Sequence, residues 1–246
     1  MSEMGCRMSM NLKILPSMCD SRSLLAIPAV FDTYQNMATL HADHFEIGPE
    51  GMKRRNSFWV ITKTRIHIDK LPEMMDDVTV NTWIQAPERA SCERDFDIVL
   101  NGERIIYGRS IWAVISRDTG RLVHMAGLYP ELDFTEPVPD DKPFARISKN
   151  FDGAETIGEY TIRSVDIDLG GHMNNVNYIR AMLGCFTTEQ LAALDIHEIE
   201  VNFISQSYEG QTLTFARREV SGEDGSHAEI AALDHEGKAV FIARLS

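Results

Sequence analysis

Asp168 and His172 stand four residues apart in the stretch Ser164-Val165-Asp166-Ile167-Asp168-Leu169-Gly170-Gly171-His172-Met173-Asn174-Asn175-Val176-Asn177-Tyr178. The Gly170-Gly171 pair allows a tight turn and lets a ligand approach the main chain closely. A turn there lets the carboxylate and the imidazole face one small volume, where either could position and activate a water. Asn174 and Asn175 are good N-cap residues for a helix that follows. Such a helix begins with unpaired N–H groups and a partial positive charge. That end suits a carbonyl oxygen and the oxyanion formed when the carbonyl is attacked. The same residue types also serve as plain turn and capping positions, so spacing alone leaves both readings open.

Other groups capable of chemistry are sparse. His41 and His44 lie three apart on a predicted helix, a spacing that metal ligands can use, but no further ligand accompanies them, and no metal site is expected. Cys6, Cys19, Cys92 and Cys185 form no Cys-x-x-Cys pair, so they read as reduced thiols. Ser207 has no Gly-x-Ser-x-Gly context, which argues against a serine nucleophile. Trp59, Trp83 and Trp112 are expected in the core or in the lining of a tunnel. No cofactor motif is present.

The elements that must position Asp168 and His172 follow from periodicity. In the first half a short strand over 11–15 precedes a helical pattern at Ile27, Val30, Phe31, Tyr34, Met37 and His41. Pro28 fits its first turn, and Gly48-Pro49 is expected to end it. Alternating strands are predicted over 58–69, 78–85, 94–100 and 105–116, with a hairpin at Asn101-Gly102. Residues 126–148 carry Pro130, Pro137, Pro139 and Pro143 among acidic residues without periodicity, and read as a semi-rigid linker. The second half repeats the order. It has a strand over 160–166, a helix over 175–194, and strands over 198–205, 211–220, 228–233 and 239–245. Turns are expected at Glu223-Asp224-Gly225 and His235-Glu236-Gly237. The expected division is 1–125, linker 126–148, and 149–246.

Composition narrows the class. With 246 residues, 43% of them hydrophobic, the chain can bury one large core or two small ones. The longest early apolar run, 24–31, is too short to span a bilayer, and the first residues lack the apolar core of a signal peptide. A cytoplasmic protein without a membrane span is expected. The net charge of −13 argues against nucleic acid as a partner. It is uneven: residues 1–125 carry −1 and residues 126–246 carry −12. An acidic partner would therefore dock more readily on the first half, where Lys53-Arg54-Arg55 forms a candidate patch.

The segment from Asp166 to Tyr178 resembles the Asp-x-Asn-x-His-x-Asn-Asn-x-x-Tyr signature of the acyl-acyl carrier protein (acyl-ACP) thioesterases, the plant plastid enzymes and their bacterial relatives. Three first-half segments resemble the same family. Phe58-Trp59-Val60-Ile61-Thr62 and the residues after it resemble its Trp-Val-Val-Thr-Arg strand. Leu71-Pro72, followed by Val78-Thr79-Val80-Asn81-Thr82-Trp83, resembles its Tyr-Pro…Val-x-Val-x-Thr-Trp stretch. Ser110-Ile111-Trp112-Ala113 through Leu122 resembles its Ser-x-Trp-Val-x-x-Asn-x-x-Thr-Arg-Arg-Leu segment.

The resemblance implies an α+β tandem (double) hotdog fold, each hotdog a long helix wrapped by a curved antiparallel sheet. It implies hydrolysis of fatty acyl-carrier thioesters, with an acyl tunnel mainly in the first hotdog and the catalytic site in the second. No cofactor is implied. The partner implied is acyl carrier protein bearing a phosphopantetheine-linked acyl chain, with the enzyme a monomer or homodimer. Carried over by position, Asp168 and His172 match the motif Asp and His, and which of them activates water stays open. Gly170, Gly171, Asn174 and Asn175 are the substrate- and oxyanion-binding candidates. The family's motif Asn falls on Gly170, its later acidic residue on Gln206, and a plant cysteine position on Ser207. Gln206 can hydrogen-bond a water but cannot act as a base. An acyl-coenzyme A thioesterase using the same site, or an acyl-thioester binding protein without catalysis, are the alternatives. Dehydration of hydroxyacyl chains fits less well, because those enzymes are usually single hotdogs that pair a His and a carboxylate across a dimer.

Overall fold

The computed structural model describes residues 6–129, 132–222 and 225–246. Two compact units divide between Lys142 and Pro143, inside the stretch read as a linker. The first contains β1 (Arg7–Lys13), α1 (Ile27–His44), α2 (Pro49–Arg54), β2 (Ser57–Ile68), β3 (Asp77–Ile84), β4 (Cys92–Leu100) and β5 (Glu103–Ser116). Its strands pair antiparallel in the order β1-β3-β4-β5-β2. The second contains β6 (Glu155–Thr161), α3 (Asn175–Leu183), α4 (Thr188–Ala193), β7 (Glu198–Phe203), β8 (Thr212–Gly222), β9 (Gly225–Leu233) and β10 (Ala239–Leu245). Its order is β6-β8-β9-β10-β7, the same permutation. In each unit the chain leaves one end of its sheet order, forms a helix, and re-enters at the other end. Successive antiparallel strands then fill the gap. This is the α+β tandem hotdog.

Each helix is held by the residues its period brings to one side. In α1, Val30, Phe31, Tyr34, Met37, Ala38, His41 and Ala42 are buried. The Tyr34 ring stacks on Phe96 of β4 with centroids 4.4 Å apart. Gly108 of β5 makes that approach possible, since a Cβ there would lie 2.7 Å from the Arg65 carbonyl oxygen and 3.0 Å from the Tyr34 ring. In the second unit Tyr178 of α3 stacks on Phe241 of β10 at 5.5 Å. The Asn101-Gly102 hairpin forms as expected, both residues at positive φ.

Several expectations shift, the first strand running over Arg7–Lys13 and not 11–15. α1 ends at His44, capped by Phe45, short of Gly48-Pro49, and Pro49 instead occupies the first turn of α2, where its missing N–H costs nothing. Lys53 and Arg54 therefore sit in the last turn of α2, and Arg55 caps it. The single helix read over 175–194 is two. Gly184 caps α3, and Thr187 starts α4 by accepting from the Gln190 N–H while the Gln190 side chain accepts from the Thr187 N–H. This reciprocal capping outweighs the continuous apolar stripe. The strand read over 160–166 stops at Thr161 and gives way to a 3-10 turn at Ser164–Asp166. Glu223 and Asp224 of one expected turn, and Pro130 of the linker, lie outside the described residues.

The stretch around the division is tied down by buried charge. In the first unit Trp83 donates its Nε1–H to the Pro137 carbonyl at 3.0 Å, and Arg65 reaches Asp140 and the Lys142 carbonyl, both at 2.7 Å. In the second unit the Ala145 N–H donates to Glu200 at 2.7 Å. Among the described residues no helix is long and apolar enough to cross a membrane.

Candidate active site

The segment between β6 and α3 folds back on itself. Ile167 and Met173 form an isolated antiparallel bridge. Between them the Asp168 N–H donates to the His172 carbonyl at 2.9 Å, and the Gly171 N–H donates to the Asp168 carbonyl at 3.0 Å. Gly171 sits at φ +79°, a conformation that glycine adopts without strain. The turn brings the two predicted side chains together, His172 Nδ1 lying 3.5 Å from Asp168 Oδ2. Their side chains are 20% and 28% exposed, so water has access to both.

Gly170 has a second role here. Its N–H donates to Asp168 Oδ1 at 2.7 Å, which aims the carboxylate. A Cβ at 170 would lie 2.6 Å from His172 Nε2 and 3.0 Å from Asp168 Oδ1. The imidazole thus occupies the space that a side chain at this position would need. The absence of a side chain at Gly170 leaves that space to His172.

The expected oxyanion donors are largely engaged in building the turn. The Gly170 and Gly171 N–H groups are used as described. The Asn174 N–H donates to the Asp166 carbonyl at 2.8 Å, and Asn174 Oδ1 caps α3 by accepting from the Val176 N–H at 2.9 Å. Two donors at this end of α3 lie outside these bonds, the Asn175 N–H and the Asn174 side-chain N–H.

Asp166 is a structural residue that sequence reasoning missed. It is buried, accepts from the Tyr160 hydroxyl at 2.8 and 3.0 Å, and accepts from the Arg163 N–H at 2.8 Å. Its carbonyl also takes the Asn177 side chain at 3.2 Å. Burial, and then the bond to Asp166, push the Tyr160 phenol above its usual range. An Asp at the third position of a capped turn was the signal available in the sequence.

The loop after β7 supports the turn from the other side, the Met173 N–H donating to the Ser207 carbonyl at 2.8 Å. Gln206, the other predicted site residue, is exposed, and its amide oxygen accepts from the Tyr208 hydroxyl at 3.1 Å. Among the described residues no hydrogen bond joins Gln206 to Asp168 or His172. Lys53, Arg54 and Arg55 are exposed in the first unit, where the positive charges complement the C-terminal end of the α2 dipole. Among the described residues no group of His, Cys, Asp and Glu could hold a metal ion.

Comparison with known proteins bears on the family and the fold. Residues 5–130 match the acyl-ACP thioesterase N-terminal domain, and residues 150–241 match the acyl-ACP thioesterase C-terminal domain. The oleoyl-acyl carrier protein thioesterase 1 of Arabidopsis thaliana chloroplasts is 25% identical over 92% of this chain and 68% of its own length. The crystal structure of an acyl-ACP thioesterase from Bacteroides thetaiotaomicron superposes with a TM-score of 0.85 at 26% identity, covering 100% of this chain and 99% of that one. The 12:0-ACP thioesterase of Umbellularia californica shares the fold, with a TM-score of 0.83 at 22% identity over 98% of this chain and 97% of that one. Two domain matches in sequence order, one on each hotdog, place the chain in a single group: it belongs to the acyl-ACP thioesterase family.

Proposed function

We propose that this chain hydrolyses the thioester of a fatty acyl chain held on acyl carrier protein, with Asp168 and His172 as the chemical centre. The products are a free fatty acid and the carrier with its thiol restored, which ends chain elongation. One observation carries the assignment of the centre: the turn before α3 sets a carboxylate and an imidazole 3.5 Å apart and leaves both open to water.

In this reading Asp168 draws the proton from a water, and His172 orients that water or the thioester beside it. Charge that develops on the carbonyl oxygen meets the Asn175 N–H and the Asn174 amide at the positive end of α3. The thiol of the carrier arm leaves with the proton. Trp59, Trp112 and Tyr129 pack, partly buried, around the apolar cluster of Phe45, Ile47, Met52 and Val114 in the first unit. Lys53, Arg54 and Arg55 are the proposed contact for an acidic carrier. A cytoplasmic monomer or homodimer suits this role.

The test is release of free thiol from acyl-ACP by the purified protein and by Asp168→Asn. The parent is expected to turn over and the variant to lose at least a hundredfold in kcat while keeping its fold. Undiminished turnover by Asp168→Asn would remove that carboxylate from the mechanism. Comparing one acyl chain on ACP and on coenzyme A separates the carrier-specific reading from the general one. Faster turnover of the coenzyme A form would overturn carrier specificity.

A further inference from the structure

The segment between β1 and α1 in the first unit repeats the main-chain bonds of the Asp168 turn. A 3-10 turn at Pro16–Met18 leads into it, as one at Ser164–Asp166 does in the second unit. Cys19 and Leu25 form an isolated antiparallel bridge, the counterpart of Ile167 and Met173. Between them the Asp20 N–H donates to the Leu24 carbonyl at 2.8 Å, and the Ser23 N–H donates to the Asp20 carbonyl at 3.0 Å. The Arg22 N–H donates to Asp20 Oδ1 at 2.8 Å, as the Gly170 N–H does to Asp168 Oδ1. Ser23 sits at φ +64°, where the second unit has Gly171 at +79°. The Leu25 N–H reaches the Pro72 carbonyl and the Ala26 N–H the Met18 carbonyl, both at 2.9 Å, matching Met173 with Ser207 and Asn174 with Asp166. Asp20 therefore stands where Asp168 stands, at a constant offset along the chain.

Three side chains differ, and each removes something the second turn has. In place of Gly170 stands Arg22, whose Nε–H and Nη2–H donate to Asp20 Oδ2 at 3.0 and 2.8 Å. The Arg22 and Leu24 main-chain N–H groups occupy Oδ1 at 2.8 and 3.1 Å. A carboxylate has about four acceptor sites, so none is left for a water, whereas Asp168 Oδ2 is left to His172 at 3.5 Å. Burial pushes the Asp20 carboxyl up, but the bonds from Arg22 and Leu24 outweigh it and hold the group below its usual range. That makes it a poorer base. In place of His172 stands Leu24, and in place of Asn174 stands Ala26, so the imidazole and the amide are absent. The first two changes are linked. A Cβ at Gly170 would lie 2.6 Å from His172 Nε2, so the Cβ of Arg22 fills the space that an imidazole at position 24 would need. Solvent access is not what differs, the Asp20 side chain being 23% exposed against 28% for Asp168.

We propose that the Asp20 turn is a second acyl-thioester site, kept silent by Arg22, Leu24 and Ala26, and that it hydrolyses acyl-ACP once Arg22→Gly, Leu24→His and Ala26→Asn are made together. This rests on the reading of Asp168 and His172 as the chemical centre. With the guanidinium gone, Asp20 Oδ2 is free to accept from a water. The water oxygen bonds to the carbonyl carbon as its proton passes to Asp20, the C–S bond breaks, and the proton ends on the departing sulfur. Order matters in this scheme. Leu24→His without Arg22→Gly stays silent, because the Cβ of Arg22 blocks the imidazole and the guanidinium still fills the carboxylate.

The experiment measures thiol release from acyl-ACP in an Asp168→Asn background, with thermal midpoints alongside. The triple graft Arg22→Gly/Leu24→His/Ala26→Asn is expected to release thiol at least tenfold faster than Asp168→Asn alone. Adding Asp20→Asn should abolish that gain, and the graft without Arg22→Gly should show none. A folded graft with no gain, or a gain that survives Asp20→Asn, overturns the inference. A reciprocal pair in the second unit guards against a graft that fails to fold. With Asp168 intact, Gly170→Arg is expected to lose at least tenfold more kcat than Gly170→Gln at equal thermal midpoints, because a guanidinium fills both acceptor sites of one carboxylate oxygen. Equal losses overturn the inference whether or not the graft folds. If Asp168→Asn alone keeps full activity, the reading of the centre fails and this inference with it. If it is inactive and the folded graft adds nothing, only this inference fails.

Discussion

At the scale of single residues, the candidate centre depends on atoms that are missing as much as on those present. Gly170 has no Cβ, and His172 Nε2 lies where one would be. Gly170→Ala is expected to swing the imidazole away from Asp168. At least a tenfold loss of kcat should follow, with the thermal midpoint little changed, because the loop is exposed. Thiol release and the imidazole resonances in NMR check this, and an unmoved imidazole would refute the packing argument. Asp166 acts differently. Its carboxylate accepts from both the Tyr160 hydroxyl and the Arg163 N–H. Hydrogen bonds to charged groups contribute about 1.5–3 kcal/mol each, so Asp166→Ala should cost about 2–4 kcal/mol after partial relaxation. Urea unfolding measures it, and a cost below about 1 kcal/mol would contradict the clasp.

At the scale of elements, the helix–sheet contact in the first unit depends on Gly108. A methyl there would collide with the main chain of β2 and the ring of Tyr34. Overpacking a close contact of this kind costs about 1–3 kcal/mol. Gly108→Ala should therefore lower stability by that amount in denaturant unfolding, and a neutral result would mean that the helix can shift without penalty. α2 presents Lys53, Arg54 and Arg55 together at its C-terminal end. Reversing all three to Glu should raise KM for acyl-ACP about tenfold at low salt while sparing acyl-coenzyme A, since rim charges act mainly on encounter. Equal effects on both substrates would place the carrier elsewhere.

At the scale of the whole molecule, one topology occurs twice and only the second copy carries the turn with Asp168 and His172. The charge asymmetry runs with that division, −1 over residues 1–125 and −12 over residues 126–246. All four cysteines are free. Burial pushes the thiols of Cys6, Cys92 and Cys185 upward, which keeps them protonated at neutral pH. Cys6 and Cys92 are buried while Cys19 and Cys185 are partly exposed, so these two are the thiols expected to react first with a disulfide reagent. Mass mapping of the first adduct checks this. Early modification of Cys92 would show that the first unit opens more readily than its packing suggests.

Periodicity and turn chemistry were legible without coordinates. The strands after Gly48, the Asn101-Gly102 hairpin and the repeated order of elements depend on local side-chain alternation and on residues that tolerate positive φ, both of which are written in the chain. Membership in the family was legible for the same reason, since its motifs are contiguous. Contacts between distant residues were not legible. The split of the second helix turned on a reciprocal cap between Thr187 and Gln190, which an apolar stripe hides. The burial of Asp166 depended on Tyr160 closing over it. The bond from the Met173 N–H to the Ser207 carbonyl joins the turn to a loop more than thirty residues later, and no local pattern encodes it. The sequence by itself determined which groups could do chemistry and on which element each would lie. Tertiary structure alone decided how the turn's N–H groups were used, where the imidazole settled, and which carboxylate was enclosed, because those outcomes depend on packing among residues far apart in the chain.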